Sequence, residues 1–296
     1  MARHRSGFVA IIGRPNVGKS TIMNALIGQK MAIVSDKPQT TRNQIQCVLT
    51  RDDYQIIFID TPGIHRPKNE LGNYMIKTVR SVFDDVDAIL FVVDIADGIG
   101  GGDRRIAESL KDVNIPVIVV LNKIDISEPF QVEEGIKEFE NMGIAKEIVP
   151  ISALQGNNIS KLESILVEYM PYGPQYYPPD MITDQPEQFI ISEIIREKAL
   201  ECLHDEVPHG IGVEITHMEE RDDRPLVDIR ATIYCEKKSH KGIIIGKQGR
   251  MLQKIGSKAR KDIERLLGVQ VYLELWVKIK DDWRNNIGVL KDLGYK

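Results

Sequence analysis

Apolar residues in the first 170 positions fall into two alternating patterns. Short continuous runs, each ending near a polar or glycine position, occur at FVAIIG (8–13), YQIIFID (54–60), AILFVVD (88–94), PVIVVLN (116–122) and EIVPIS (147–152). Such runs mark strands buried on both faces. Helical spacing recurs between them, in KSTIMNALIG, at about 69–83, 103–112 and 130–141, and after the last run at 158–170, with Gly28 placed to stop the first helix. NQIQCVLTR reads as a strand paired with YQIIFID through Asp52 and Asp53. Alternating strands and helices predict an α/β domain, a mainly parallel sheet covered on both faces, with ligands at the carboxyl ends of its strands.

The pattern breaks at PYGPQYYPPDMITDQPEQ, where Pro171, Pro174, Pro178, Pro179 and Pro186 cluster with Gly173 and three tyrosines. This turn composition predicts a linker over 173–187, separating a first domain at 1–172 from a second at 188–296. In the second, QFIISEIIREKALECL has helical spacing, and GIGVEITHMEE and PLVDIRATIYCE read as a strand pair. IIIGKQG reads as a strand-like apolar run entering a glycine loop, followed by a helix at about 250–266 and a last strand in QVYLELWVKIK. That order predicts a smaller α+β domain.

At 296 residues, 42% hydrophobic and 28% charged, the chain has the composition of a two-domain globular protein. Its formal net charge of -4 conceals an asymmetry, since Lys237 to Lys261 holds nine cations and no acid. Such a run is either a solvated face or a nucleic-acid site. Cys47, Cys202 and Cys235 are odd in number and far apart, which gives no disulfide framework or metal spacing and suits reduced thiols in the cytoplasm. The six histidines show no ligand spacing. The apolar stretch of MARHRSGFVAII ends at Gly13, so no signal peptide is expected, and no run approaches the ~20 apolar residues of a spanning helix.

Chemistry concentrates at the predicted strand ends. Gly13, Arg14, Pro15, Asn16, Val17, Gly18, Lys19, Ser20 and Thr21 form a GxxxxGKS phosphate loop in its required strand–loop–helix context. Glycines let backbone N–H groups approach phosphate oxygens, Lys19 adds a point charge and Ser20 a Mg2+ ligand. Asp60, Thr61, Pro62 and Gly63 end a later strand, with Asp60 suited to hold Mg2+ through water and the Gly63 N–H to meet a γ-phosphate. Asn122, Lys123 and Asp125 lie in NKID at another strand end. Asp125 can accept from guanine N1 and its exocyclic amine, a donor pair adenine lacks. Ser152, Ala153 and Leu154 end the last strand, where the Ala153 N–H can meet guanine O6. The first domain thus resembles a translation-factor-class GTPase, with SDKPQTTRNQ and DTPGIHRPKN as switch segments. Thr41, with Thr40 as alternative, is expected to complete the Mg2+ shell when γ-phosphate is present. Ile64 stands where Ras-type GTPases place a water-orienting glutamine. Asn16 resembles the position that ligates K+ in cation-activated GTPases of this class, and its alternative role is to cap the loop.

The second glycine loop, Gly246, Lys247, Gln248 and Gly249, lacks the phosphate-loop spacing. GxxG alone carries nothing, since GIGG at 98–101 also fits. Its setting is what counts: an apolar run before it, a helix after it, and cations including Arg250, Lys254 and Lys258 around it. That is the KH arrangement, in which a GXXG loop clamps the backbone of unpaired nucleotides and an apolar groove takes their bases.

With GRPNVGKST, QTTR, DTPGIH, NKID, SAL, ITDQPEQF, SEIIREK, IIIGKQG and DWR…LGY along nearly its whole length, the chain resembles the bacterial Era family. The resemblance implies a P-loop GTPase domain followed by a type II-like KH domain. It further implies GTP and GDP as ligands, Mg2+ as cofactor, GTP hydrolysis linked to assembly of the 30S ribosomal subunit, and the KH domain on the 3′ end of 16S rRNA. A monomer associated loosely with the inner membrane face is implied by the family alone. Two other readings stay open from sequence. One is a plain RNA-binding module with a structural nucleotide, against which Lys19, Asp60 and Asp125 speak. The other is a tRNA-modifying GTPase, which would need a further catalytic domain.

Overall fold

The computed structural model describes residues 4–29, 31, 45–60, 86–203 and 210–293. Thr40, Thr41, Thr61, Pro62, Gly63, Ile64 and the helix predicted at 69–83 lie outside the described residues. The described residues divide into two compact units, the second beginning at Gln185.

The first unit holds a six-stranded sheet in the order β2-β3-β1-β4-β5-β6. Its strands are β1 (Arg5–Ile12), β2 (Ile45–Thr50), β3 (Tyr54–Asp60), β4 (Ala88–Asp94), β5 (Val117–Asn122) and β6 (Glu147–Pro150). All neighbours are parallel except β2 and β3, the pair turning through Asp52 and Asp53. The central strands are apolar without alternation because both faces are covered: every residue of β4 and β5 is buried. The helices are α1 (Lys19–Ile27), α2 (Gly101–Ser109), α3 (Pro129–Met142) and α4 (Ile159–Tyr169). Gly28 ends α1 at φ 79°, its N–H bonded to Asn24.

The proline-rich segment is fastened to this unit. Buried Gln55 accepts from the backbone N–H groups of Tyr176 and Tyr177 at 2.8 and 3.0 Å, and its amide donates to the Tyr177 carbonyl at 2.9 Å. Further on, Val48 N–H donates to Ile182 O at 2.7 Å and the Thr183 hydroxyl to Gln46 O at 2.7 Å. The prolines prevent helix formation, and the Gln55 side chain of β3 together with the free edge of β2 supplies the partners. The segment read as a linker is thus a strap across that edge.

The second unit runs α5 (Glu187–Cys202), β7 (Gly212–Glu220), β8 (Leu226–Cys235), α6 (Lys238–Ile245), α7 (Arg250–Leu267) and β9 (Gln270–Ile279). Its sheet has the order β7-β8-β9, with β7 antiparallel and β9 parallel to β8. Ile190, Ile194, Ile229, Ile233, Ile255 and Ile263 form the centre of its core. One expectation is corrected here. The IIIG run is the end of helix α6, in which Ile244 alone is buried. Three isoleucines in a row favour a strand locally, but tertiary packing of the short helix overrides that preference.

Candidate nucleotide and RNA sites

The phosphate loop leaves β1 at Ile12 and enters α1 at Lys19. Gly18 takes φ 97° and lies against the Asn122 amide, where a side chain would collide. Asn16 adopts φ 66°, a left-handed conformation that asparagine tolerates. Buried Lys19 donates to the carbonyls of Gly13 and Arg14 at 3.2 and 2.9 Å, so the loop curls around its ammonium group. Burial lowers its pKa to about 8, against the attraction of Asp60.

Ser20 donates its hydroxyl to Asp60 Oδ2 at 2.7 Å, joining the start of α1 to the end of β3. Both are buried hard oxygen donors at the phosphate end of the loop, a set that fits Mg2+. Asn122 ties the base corner together: its amide donates to Val17 O at 2.9 Å, and its Oδ1 accepts from the Ala153 N–H at 3.0 Å. Lys123, at φ 69°, pairs with Asp94 at 2.5 Å. Asp125 is exposed at the mouth of this corner. Buried Ser152 accepts from Gln155 N–H at 3.1 Å, and Thr21, Ala153 and Leu154 line a cavity of about 390 Å³ beside α1.

One expectation lands differently: the Ala153 N–H, expected to meet guanine O6, donates to Asn122 Oδ1 at 3.0 Å. Two loop side chains are also engaged within the protein, which leaves the assignment of the loop through its backbone N–H groups as it stands. Arg14 turns its guanidinium to Asp103, at the start of α2, at 2.9 Å. Val17 is a core residue, 1% exposed, so only its backbone can face a ligand. Asp94 and Asp103 went unnoticed in the sequence. Asp94 closes a strand, and the rule that found Asp60 would have found it. Asp103 gives no such signal.

In the second unit α6 ends at Gly246 (φ 71°), and Gln248 (φ 53°) and Gly249 (φ 76°) complete the turn into α7. A Cβ on Gly246 would lie 2.7 Å from Met251 Cβ, so this corner requires glycine. Lys247, Gln248, Arg250 and Lys254 are exposed around the loop. From Gly249 a groove of about 380 Å³ runs between α7 and β9, lined among others by Leu252, Gly256, Arg260, Tyr272 and Leu275. Its apolar floor and the basic loop at its end suit unpaired bases and their phosphates. Lys258 departs from the expectation: it faces α5 and pairs with Glu201 at 2.9 Å, which raises its pKa. Glu201 also binds Lys198 at 2.7 Å, and Lys198 lies 3.0 Å from Asp262. The carboxylate network occupies Lys258 on a helix face turned from the groove. Arg260 and Tyr272, which the sequence reading passed over, line the groove instead.

Comparison with known proteins agrees with this geometry. Residues 8–123 match the family described as 50S ribosome-binding GTPase, and residues 206–284 match the KH domain. The GTPase Era of Alkaliphilus oremlandii is 57% identical over 291 residues, covering 98% of this chain and 99% of that relative. The GTPase Era of Clostridioides difficile (strain 630) is 56% identical over 292 residues, covering 98% of each. Among solved structures, Era in complex with MgGDPNP and nucleotides 1506–1542 of 16S ribosomal RNA superposes with a TM-score of 0.94 at 41% identity, covering 99% of both chains. Aquifex aeolicus Era bound to GDP.AlF4- gives 0.94 at 42% identity, covering 98% of this chain and 99% of that one.

A phosphate loop and a guanine-reading corner on one sheet, followed by an RNA-binding KH unit, define a GTPase that also handles RNA. The length and level of these matches leave one assignment: the chain belongs to the Era family of GTPases.

Proposed function

We propose that this protein couples its GTP cycle to holding the 3′ end of 16S rRNA during assembly of the small ribosomal subunit. The observation that carries this reading is the GKQG turn opening onto a groove between α7 and β9, in one chain with a complete phosphate loop. The 50S description belongs to a match over residues 8–123 only, whereas the Era complex with 16S RNA covers 99% of this chain. The small subunit is therefore the better-supported target.

In the GTPase domain, assigned to 1–172, Lys19 and the loop N–H groups hold the β- and γ-phosphates. Ser20 and Asp60, with Thr41 from the segment outside the described residues, hold Mg2+, which neutralises charge developing on the transferred phosphoryl group. Gly63 senses the γ-phosphate, and Asp125 selects guanine. Asn16 supplies a K+ ligand that offsets the loss of a glutamine at Ile64, so that turnover is faster in K+ than in Na+ at equal ionic strength and Asn16→Ala removes the difference. In the KH domain, assigned to 188–296, Gly246, Lys247, Gln248, Gly249, Arg250 and Lys254 clamp RNA backbone. The protein works as a cytoplasmic monomer with peripheral contact to the membrane. No helix among the described residues is long and apolar enough to cross one.

The test replaces Lys247 and Gln248 by Asp, which sets two negative charges against phosphates and leaves the glycines in place. Affinity for single-stranded RNA falls at least about tenfold, its salt dependence flattens, and GTP hydrolysis is unchanged. RNA binding that survives the double substitution removes the KH loop from the function.

A further inference from the structure

Lys123 is a strained residue of the base corner. It adopts φ 69°, a left-handed conformation that lysine takes far less readily than asparagine or aspartate. Its side chain turns back from the end of β5 to β4, the neighbouring strand, where Asp94 stands beside Asn122 in register. There its Nζ meets Asp94 Oδ2 at 2.5 Å. On the far side of β4 lies β1, and the phosphate loop leaving β1 sits close on the Val92 carbonyl: a Cβ on Gly13 would lie 2.4 Å from that oxygen. The Lys123 stem therefore runs along the carboxyl ends of the strands, from the NKID corner toward the phosphate loop.

Asp94 is a fixed partner. It is 8% exposed, and its Oδ1 accepts from the Asp97 N–H at 3.4 Å. The loop that follows is pinned on two sides. Ile95 N–H donates to Asn122 O at 3.1 Å, and Gly135 of α3 lies so close to Ile95 that a Cβ there would be 2.6 Å from its Cδ1. A neutral side chain could close the strand and accept from Asp97, whereas a buried carboxylate costs free energy unless its charge is matched. What the charge adds is a hold on the Lys123 ammonium. Backbone strain of the kind seen at Lys123 persists where the surroundings enforce it, and it clusters at functional sites. The same loop ends at Asp103, whose pair with Arg14 ties it to the phosphate loop. Residues 94–103 thus grip one cation from each end of the nucleotide site.

We propose that Asp94 is a positioning residue for guanine recognition, holding Lys123 in its strained conformation so that the base pocket is formed before nucleotide arrives. This rests on the NKID corner holding guanine. A lysine side chain loses much rotamer freedom when it is ordered. Held beforehand by Asp94, it loses little more on binding, and affinity gains by that difference. The phosphates are met by other groups, so guanosine, GDP and GTP gain alike while the chemical step is untouched.

The experiment measures displacement of a fluorescent GDP from the full-length protein by guanosine, GDP and GTP, together with kcat and KM for GTP. Asp94→Asn keeps an oxygen for the Asp97 N–H and removes only the charge. All three affinities fall by one common factor of about fivefold, and KM rises with it while kcat holds. Asp94→Glu, which keeps the charge, recovers most of the loss. On a Lys123→Met background Asp94→Asn has no further effect, because it acts only through the ammonium. Unchanged affinities in Asp94→Asn, or a loss that spares guanosine, overturn the proposal. So does a loss that adds to that of Lys123→Met with kcat and Tm falling together, which makes Asp94 a structural residue. Asp125→Asn is the control for the corner itself. If guanosine binds that variant as well as the wild type, guanine is read elsewhere, and the role of Asp94 falls with that reading.

Discussion

Arg14 and Asp103 form an ion pair that fastens the second residue of the phosphate loop to the first turn of α2, with Nε and Oδ1 2.9 Å apart. Asp103 is fully buried, and its other oxygen accepts from the Gly100 N–H at 2.9 Å, which caps the helix. Gly102 makes room for the pair, since a Cβ there would lie 2.7 Å from Arg14 Cδ. The loop is thereby shaped before any nucleotide arrives, which lowers the ordering cost of binding.

That preorganisation is measurable with a double-mutant cycle. Asp103→Asn retains an oxygen for the Gly100 N–H and loses the charge that Arg14 meets. GDP affinity is expected to fall about fivefold, on the order of 1 kcal/mol, and Arg14→Ala should do the same. Because the residues act as one unit, the double variant loses little more than either single variant. Titration calorimetry giving additive losses would show that the pair does not shape the loop.

Lys19 makes nucleotide binding pH-dependent. Its pKa near 8 in the folded, nucleotide-free protein lies below the ordinary value of 10.5, chiefly through burial. Between those values the unfolded chain holds more protons, so stability of the free protein rises with pH across that window. Phosphate favours the charged ammonium, so GDP binding takes up a proton above pH 8 and affinity falls as pH rises through that value. Guanosine carries the same titrating base without phosphates and serves as control. A GDP affinity that tracks that of guanosine from pH 7 to 9.5 would sink the assignment.

The residues legible in the sequence are those whose chemistry depends on local spacing. Lys19, Ser20 and Asp60 follow from the phosphate loop and a strand end, and β1, β3, β4 and β5 from apolar runs too continuous for a half-exposed sheet. What escaped depends on partners distant in the chain. The cation run holds Lys258 and Lys254 alike, and only the packing of α7 on α5 shows that Lys258, one turn from Asp262, faces Glu201. The prolines at 171–186 announce turns, but nothing local says that Gln55 will bind them. Asp103 reads as an ordinary first-turn acid until Arg14 folds onto it.

Gln55 makes a separate stability claim. Its side chain satisfies the N–H groups of Tyr176 and Tyr177, the Tyr177 carbonyl, and Thr50 Oγ1, the last at 3.0 Å. Gln55→Leu keeps approximate size and strands those backbone groups, at a cost of about 2–4 kcal/mol. The strap should then detach before the sheet melts. Limited chymotrypsin digestion is expected to cut after Tyr176 at rates well above wild type, with a lowered Tm. Equal cleavage rates would mean that Gln55 is not what holds the strap.

Asp125 is the group to which we assign reading of the base, because its neighbour is already committed. Both ends of the Asn122 amide are used inside the protein, on Val17 O at 2.9 Å and on the Ala153 N–H at 3.0 Å. Asn122→Ala would therefore loosen the corner without reporting on specificity, whereas Asp125, exposed at its mouth, can be changed alone. Asp125→Asn places an amide NH2 against the guanine amine and leaves two donors facing each other. GTP affinity is expected to drop at least about a hundredfold, near 2.7 kcal/mol. Xanthosine triphosphate, with a carbonyl where guanine has its amine, restores the match. The variant should bind and hydrolyse it with Mg2+ at close to the wild-type GTP rate, since Lys19, Ser20 and Asp60 are untouched. GTP affinity unchanged by the substitution would place guanine recognition elsewhere, and loss of both nucleotides together would make Asp125 a structural residue of the loop.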